Sequence, residues 1–147
     1  MKLEKIHEMW AEDCVINPQD VVGASVSTPL LHAKYLQLFS NAKSRMVFLE
    51  MKQKKLLKKK WLYYNGKMSK EEIDAEGWDY DPFKGLKILK GDMEYYYEAD
   101  EDIQRSEAEI KYQKEIIDTL KEIVDTLKWR HQTIGNIIKW RQFEAGN

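Results

Sequence analysis

The sequence predicts an all-α protein that is built on two long helices. Residues 30–64 contain neither glycine nor proline, so nothing in this stretch interrupts a helix. Between residues 103 and 134, apolar side chains recur at intervals of three, four and seven, which is the helical period. Charged residues make up 33% and aromatic residues 12% of the 147-residue chain, a composition that suits long exposed helices. This length fits one domain or two small helical units.

The first expected element is a short amphipathic helix over residues 2–13, with Leu3, Ile6 and Trp10 on one face. The first long helix is expected to begin at Thr28-Pro29, because threonine can cap a helix and proline needs no donor at its first position. Asn65-Gly66 is typical of a helix end, which gives about 36 residues and a length of roughly 54 Å. A small monomer cannot easily cover such a rod, so a second long helix or another subunit is implied.

The middle of the chain is more irregular. Ser69 and Glu72 form a capping box that predicts a short helix to about Glu76. Glycine and proline punctuate residues 77–98, and a small hairpin that turns on Gly91-Asp92 is expected there.

A second long helix is predicted from Asp100 to about Phe143. It carries a heptad-like stripe, although Ser106, Gln113 and His131 interrupt the seam. This stripe is expected to be core or subunit interface. Its candidate oligomerisation residues are Ile110, Ile117, Leu120, Val124, Leu127 and Ile134.

Charge is divided unevenly along the chain, although the formal net charge is only −1. Residues 43–67 hold nine basic side chains and one acid, whereas residues 71–109 hold fourteen acids and four bases. Such opposed segments indicate an interaction surface. The acidic segment could face basic partners or compete with DNA for the basic helix, and the sequence does not choose between these roles.

A lysine-rich run followed by aromatic residues indicates nucleic-acid binding. Lysines can hold a phosphate chain, and the adjacent rings can stack on bases, which single-stranded DNA binding requires. The alternative is a lysine face that is merely solvated. Glu50 is the only acid between Asp20 and Glu71, so neighbouring lysines repel one another, and an anionic partner would relieve that repulsion. The candidate DNA-binding residues are Lys52, Lys54, Lys55, Lys58, Lys59, Lys60, Trp61, Tyr64 and Lys67.

Lys60 stands apart from the other lysines because its position falls within the apolar stripe of the helix. Two interpretations are open from the pattern alone. In one, its methylenes pack and its ammonium group reaches water near the helix end. In the other, the cation points into a cleft where a ligand lies.

The sequence contains no signature of an enzyme, and none is expected. It lacks a P-loop, a dinucleotide-binding glycine motif, a zinc-protease motif and a C-x-x-C pair, and no metal or cofactor is expected. Its single cysteine, Cys14, cannot form an intrachain disulfide, which favours a reducing compartment. No apolar run approaches the roughly 20 residues of a membrane span, and the N-terminus does not resemble a signal peptide. We therefore expect a cytoplasmic protein.

Three stretches resemble the UvsY-type recombination mediators of T-even-like phages. Residues 56–67 are similar to that family's L-K-x-[KR]-x-x-Y-Y-x-G-[KR] motif, and residues 99–102 to its A-D-x-D opening of the C-terminal helix. Residues 141–147 resemble its R-x-F-E-A-G-x terminus. The resemblance covers residues 43–67 and 99–147, which is about half of the chain.

The resemblance implies an accessory protein of DNA recombination, repair and replication that has no catalytic activity. Its implied partners are single-stranded DNA, a RecA-like recombinase and a single-strand DNA-binding protein, and it helps the recombinase load. It also implies a ring-like homo-oligomer of six or seven subunits, with the C-terminal helix as the assembly element. Within the motif, the positions of Lys58 and Lys60 are the ones associated with DNA contact.

The expected organisation is a DNA-binding region over residues 1–67, an acidic connector over 68–98 and an oligomerisation region over 99–147. The main alternative function is a structural coiled-coil protein of a virion or scaffold. A basic module for RNA or a membrane surface is disfavoured, because the aromatics follow the lysines in a block and do not form an opposite apolar face.

Overall fold

The chain folds into α-helices, which confirms the expected fold class. The structure is a computed structural model that describes residues 1–146, so Asn147, the last residue of the terminal motif, lies outside the described residues. Within that range there is no strand. The helices are α1 (Leu3–Asp13), α2 (Val21–Tyr64), α3 (Lys70–Glu76), α4 (Met93–Glu98), α5 (Glu101–Lys128) and α6 (Arg130–Glu144).

The chain divides into two compact units, which cut across the three expected regions. Unit 1 comprises Met1–Arg45 together with the chain from Tyr112 onward, and unit 2 comprises Met46–Lys111. The division differs from a simple sequential one because α2 and α5 each contribute residues to both units.

The core of unit 1 is mainly aliphatic and joins α1, α2 and α5. Ile6 of α1 and Leu120 of α5 are each 1% exposed, and Tyr35 of α2 is fully buried between α1 and α5 residues of the same cluster. The Tyr35 hydroxyl donates to Asp13 Oδ2 at 2.8 Å, which satisfies the one polar group of that side chain. The predicted first helix is confirmed, since Leu3, Met9 and Trp10 pack against this core.

The core of unit 2 is aromatic. Tyr63 and Tyr64 at the end of α2 and Ile73 of α3 are buried together. Around them pack Met68, Trp78, Phe83, Met93, Tyr96 and Tyr97. The expected end of α2 is confirmed at Gly66, whose φ of 67° lets Lys67 N–H donate to Leu62 O at 2.8 Å and close the helix. The predicted α3 is confirmed as well, with the Ser69 hydroxyl accepting from Glu72 N–H.

The expected start of the first long helix is wrong, because α2 begins eight residues earlier, at Val21 in place of Pro29. The Asp20 carboxylate accepts from Gly23 N–H at 2.9 Å and caps the helix. Pro29 therefore lies inside α2. Immediately before it, the hydroxyls of Ser27 and Thr28 both donate to Ala24 O, and bonds of this kind are often found where a helix bends.

The expected hairpin is also wrong. Lys90–Asp92 form a single 3₁₀ turn that leads directly into α4. Aromatic packing explains the difference, since Tyr96 meets Phe83 edge to face at 4.9 Å and the Tyr97 hydroxyl donates to Leu57 O of α2 at 2.8 Å. A helical turn presents both adjacent rings to the core, whereas a strand would place them on opposite faces.

The predicted second long helix is broken at Trp129. There the backbone tightens, with Trp129 N–H donating to Thr126 O three residues back. The next residue, Arg130, is only 7% exposed, and its Nη1 donates to Asp13 O at 3.2 Å. A heptad pattern could not show this contact beside the break, because its two residues are 117 positions apart in sequence.

Candidate nucleic-acid interface

The C-terminal part of α2 carries a basic face in unit 2. Lys54 and Lys58 lie on one side of the helix with Trp61, which is 48% exposed. Lys52, Lys55 and Lys59 form a neighbouring exposed row. Because α2 is continuous here and its opposite side packs on the aromatic core, these side chains are held on a rigid support.

Few protein carboxylates neutralise this face. Among residues 1–146, Lys59 bonds Glu76 of α3 at 2.6 Å, whereas Lys52, Lys54, Lys55 and Lys58 form no ion pair. Lys67 lies over the Trp61 ring, with 4.6 Å between its Nζ and the ring centroid. Unneutralised lysines beside an exposed indole are suited to an extended polyanion that carries stackable rings.

Lys60 takes neither of the two positions considered from the sequence. It is only 4% exposed, and its Nζ lies 2.9 Å from Asp100 Oδ2 and 2.8 Å from Asp102 Oδ2. The Trp78 ring covers the ammonium, with 3.8 Å from Nζ to the ring centroid. A buried cation between two carboxylates and an indole ties the end of α2 to the start of α5.

Asp100 is the centre of this cluster, which comprises the buried residues Lys60, Tyr64 and Asp100 and the partly exposed Asp102. The Asp100 carboxylate accepts from the Tyr64 hydroxyl at 2.6 Å and from Ile103 N–H at 3.0 Å, so it also caps α5. Burial alone raises the pKa of Asp100, but hydrogen bonds from Tyr64, Lys60 and the Ile103 amide outweigh burial and hold that pKa below its usual value. Burial and the bond to Asp100 raise the pKa of the Tyr64 hydroxyl.

Seven of the nine predicted DNA-binding side chains are exposed, and two are not. Lys60 and Tyr64 are 4% and 8% exposed, so the structure does not present them to a ligand as we expected. Sequence reasoning missed their partners, because Asp100 is 40 residues beyond Lys60 and no local spacing links the two. The sequence did contain one indication of a buried ion pair, because Lys60 is a charged residue within an apolar stripe. The acidic residues at the start of α5 supply the opposite charge.

The predicted oligomerisation residues lie in unit 1, apart from Ile110, and most face its own core. Leu120, Val124, Leu127 and Ile134 are each 6% exposed or less, so they offer almost no surface to a second chain. Ile110 and Ile117 are partly buried. Exposed apolar side chains occur near the end of the chain, at Trp129 (61%), Ile138 (42%), Trp140 (60%) and Phe143 (71%), and also at the start of α2, at Val22, Val26 and Leu30.

Residues 1–146 contain neither a membrane-spanning helix nor a cluster of metal-binding side chains. No helix in that range combines the length and apolar character that crossing a membrane requires. Histidine, cysteine, aspartate and glutamate side chains in the same range do not gather in threes around a potential metal position.

Comparisons with known proteins agree with this architecture. Residues 9–147 match the family described as "Recombination, repair and ssDNA binding protein UvsY". The chain is 25% identical over 146 residues to the recombination protein uvsY of Enterobacteria phage T4, covering 99% of each protein. It is similar to two crystal structures of the bacteriophage T4 recombination mediator protein UvsY. In lattice type II the TM-score is 0.79 at 25% identity, over 99% of this chain and 98% of the other. In lattice type IV the TM-score is 0.79 at 24% identity, over 98% and 99%.

Proposed function

The chain belongs to the UvsY family of recombination, repair and single-stranded DNA binding proteins, and from this premise we propose that it binds DNA on the basic face of α2. It is a phage-type recombination mediator. The observation that carries the assignment of the site is the row of exposed lysines without protein counter-ions beside Trp61. Phosphates would bind Lys52, Lys54, Lys55, Lys58 and Lys59, and bases would stack on Trp61, with Lys67 beside it.

The two lysines of the family's basic motif, Lys58 and Lys60, would have different roles. Lys58 is exposed and contacts phosphate, whereas Lys60 is a positioning residue that fixes α2 against Asp100 and Asp102. Tyr64 supports the same cluster through its hydroxyl and does not stack on DNA. A loss of DNA binding on substitution of Lys60 would then follow from a displaced α2 end.

The mediator role would use weak, exchangeable contacts that are multiplied by assembly. A homo-oligomer, for which the family resemblance suggests six or seven subunits, would present several lysine faces to one strand and raise affinity through effective concentration. Local release of the strand would let a RecA-like recombinase replace a single-strand DNA-binding protein. The protein would act in the cytoplasm of the host cell.

Assembly is proposed to use the exposed apolar end of the chain. Trp140 and Phe143 stack at 5.6 Å between ring centroids and are both largely exposed, which is typical of an unfilled interface. Of the residues first predicted for this role, Ile110 and Ile117 retain partial exposure. The four buried residues, Leu120, Val124, Leu127 and Ile134, would stabilise the helices that carry this interface without contacting the second subunit.

Ligand competition tests the proposed class of partner. We would titrate the protein against a labelled single-stranded oligonucleotide, a duplex of the same length and vesicles that contain anionic lipid. Tighter binding to the single strand, with salt-sensitive affinity, is expected. Failure to bind the single strand even at low salt would overturn the DNA proposal and favour a structural coiled-coil protein, and preference for vesicles would favour a membrane-surface module.

A further inference from the structure

A cleft lies between the basic face of α2 and the short helix α3, both within unit 2. Its volume is about 480 Å³, within the roughly 300–1,000 Å³ that is usual for small-molecule sites. Leu62, Met68 and Ala75 give it an apolar lining. Lys55 and Lys58 line it on the α2 side, so a strand held by these lysines passes directly beside an apolar recess.

The two sides of the cleft carry opposite charges, which would orient a bound nucleotide. The α3 side carries Glu72 and Glu76, which repel phosphate, whereas the α2 side carries the lysines. A nucleotide could therefore enter only with its phosphate towards α2 and its uncharged base towards α3. The bond between Lys59 and Glu76 is partly exposed, and exposed pairs are weak, so it would not hold the cleft closed.

We propose that this cleft takes one unpaired base of the single-stranded DNA whose phosphates lie on Lys55 and Lys58. The inference rests on the proposed function and adds a subsite to it. A base in a duplex is paired and stacked and cannot enter without being extruded, so the cleft gives a physical reason for preferring single strands. Its wall is aliphatic and therefore tolerates any base.

A second cleft of unit 2 does not share these properties. It has a volume of about 300 Å³, and Glu76, Asp102 and Glu109 line it together with Lys52 and Arg105. Three carboxylates around the opening oppose a phosphate chain. Charge complementarity therefore singles out the cleft between α2 and α3.

The test compares two oligonucleotides of equal length and charge, one of thymidines and one of abasic tetrahydrofuran residues. The variant Ala75→Leu fills the cleft from an exposed position of α3, and Ala108→Leu makes the same change at an exposed position of α5 that does not line it. We expect Ala75→Leu to weaken thymidine binding by about tenfold, which corresponds to the loss of roughly 55 Å² of buried apolar base surface. Abasic binding and the salt dependence should be unchanged, and Ala108→Leu should bind like the wild type.

The outcomes separate this inference from the proposed function. If the wild type binds both oligonucleotides and Ala75→Leu leaves thymidine affinity unchanged, the base lies elsewhere and the cleft proposal is overturned while DNA binding stands. If the wild type binds neither oligonucleotide at low salt, the proposed function itself fails. Far-ultraviolet circular dichroism of both variants confirms that the helices are intact.

Discussion

At the scale of single residues, Lys60 shows how far the sequence could predict the site. Its position in the apolar stripe was visible, and so was the acidic opening of α5, but nothing local joined them. The decisive contacts come from Asp100, Asp102 and Trp78, which only the tertiary fold brings to the ammonium group. The exposed lysines could be predicted, because helical periodicity alone places them on the side of α2 that faces away from the apolar stripe.

Replacing Lys60 should be far more harmful to stability than replacing an exposed lysine. Lys60→Met leaves the buried carboxylate of Asp100 without its cation, and removing one partner of a buried ion pair typically lowers the free energy of unfolding by about 3–5 kcal/mol. Lys58→Met, the exposed control, should change it by no more than about 0.5 kcal/mol. Urea denaturation measures both, and equal effects from the two variants would contradict the buried assignment.

The free energy of unfolding at acidic pH should depend on Asp100. Because the folded pKa of Asp100 is depressed, its contribution is fully present above the unfolded pKa of about 3.9 and is lost as the pH falls through the lower folded pKa. Asp100→Asn should therefore be less stable at pH 6 and lose less stability between pH 5 and pH 3. Denaturation curves across this range give the comparison, and parallel pH profiles would argue against the cluster.

At the scale of elements, the ends of helices were predicted well only where capping is local. The end of α2 at Gly66 and the start of α3 at Ser69 follow from chemistry within a few residues. The start of α2 was misplaced, because Thr28-Pro29 is a stronger local signal than the true cap at Asp20. The break at Trp129 escaped prediction because the residue that follows it, Arg130, bonds to Asp13 of α1, a contact that no local pattern indicates.

Two helical glycines should respond differently to replacement by alanine. Gly135 in α6 has open space around an added Cβ, so Gly135→Ala should stabilise the protein by about 0.5–1 kcal/mol. At Gly23 an added Cβ would lie 2.2 Å from Asp20 Oδ2 and displace the cap of α2, which offsets or reverses that gain. Thermal denaturation should show a rise in Tm for Gly135→Ala alone. An equal rise for Gly23→Ala would mean that the cap does not stabilise α2.

At the scale of the whole molecule, the sequence predicted an all-α chain and membership of its family, but it left open whether the heptad stripe is core or subunit interface. Most of that stripe packs within unit 1 against α1 and α2. A periodic apolar face shows that a helix is covered, and it does not show whether the covering helix comes from the same chain.

Self-association should therefore respond to the exposed aromatics and not directly to the buried stripe. Trp140→Ser with Phe143→Ser should lower the mass measured by light scattering while leaving helicity intact. Leu127→Asp places a charge in the core of unit 1, where Leu127 is 2% exposed, and should reduce helicity itself. An undiminished mass in the double variant would locate the interface elsewhere.

The most direct test of the central claim is the salt dependence of single-stranded DNA affinity, measured by fluorescence anisotropy. Each phosphate contact contributes about 0.7 to the slope of log K against log salt. Lys54→Gln with Lys58→Gln should flatten the slope by about 0.7 per lysine, whereas Lys114→Gln with Lys121→Gln, two exposed lysines of α5, should leave it unchanged. An unchanged slope in the first variant would place the DNA on another surface.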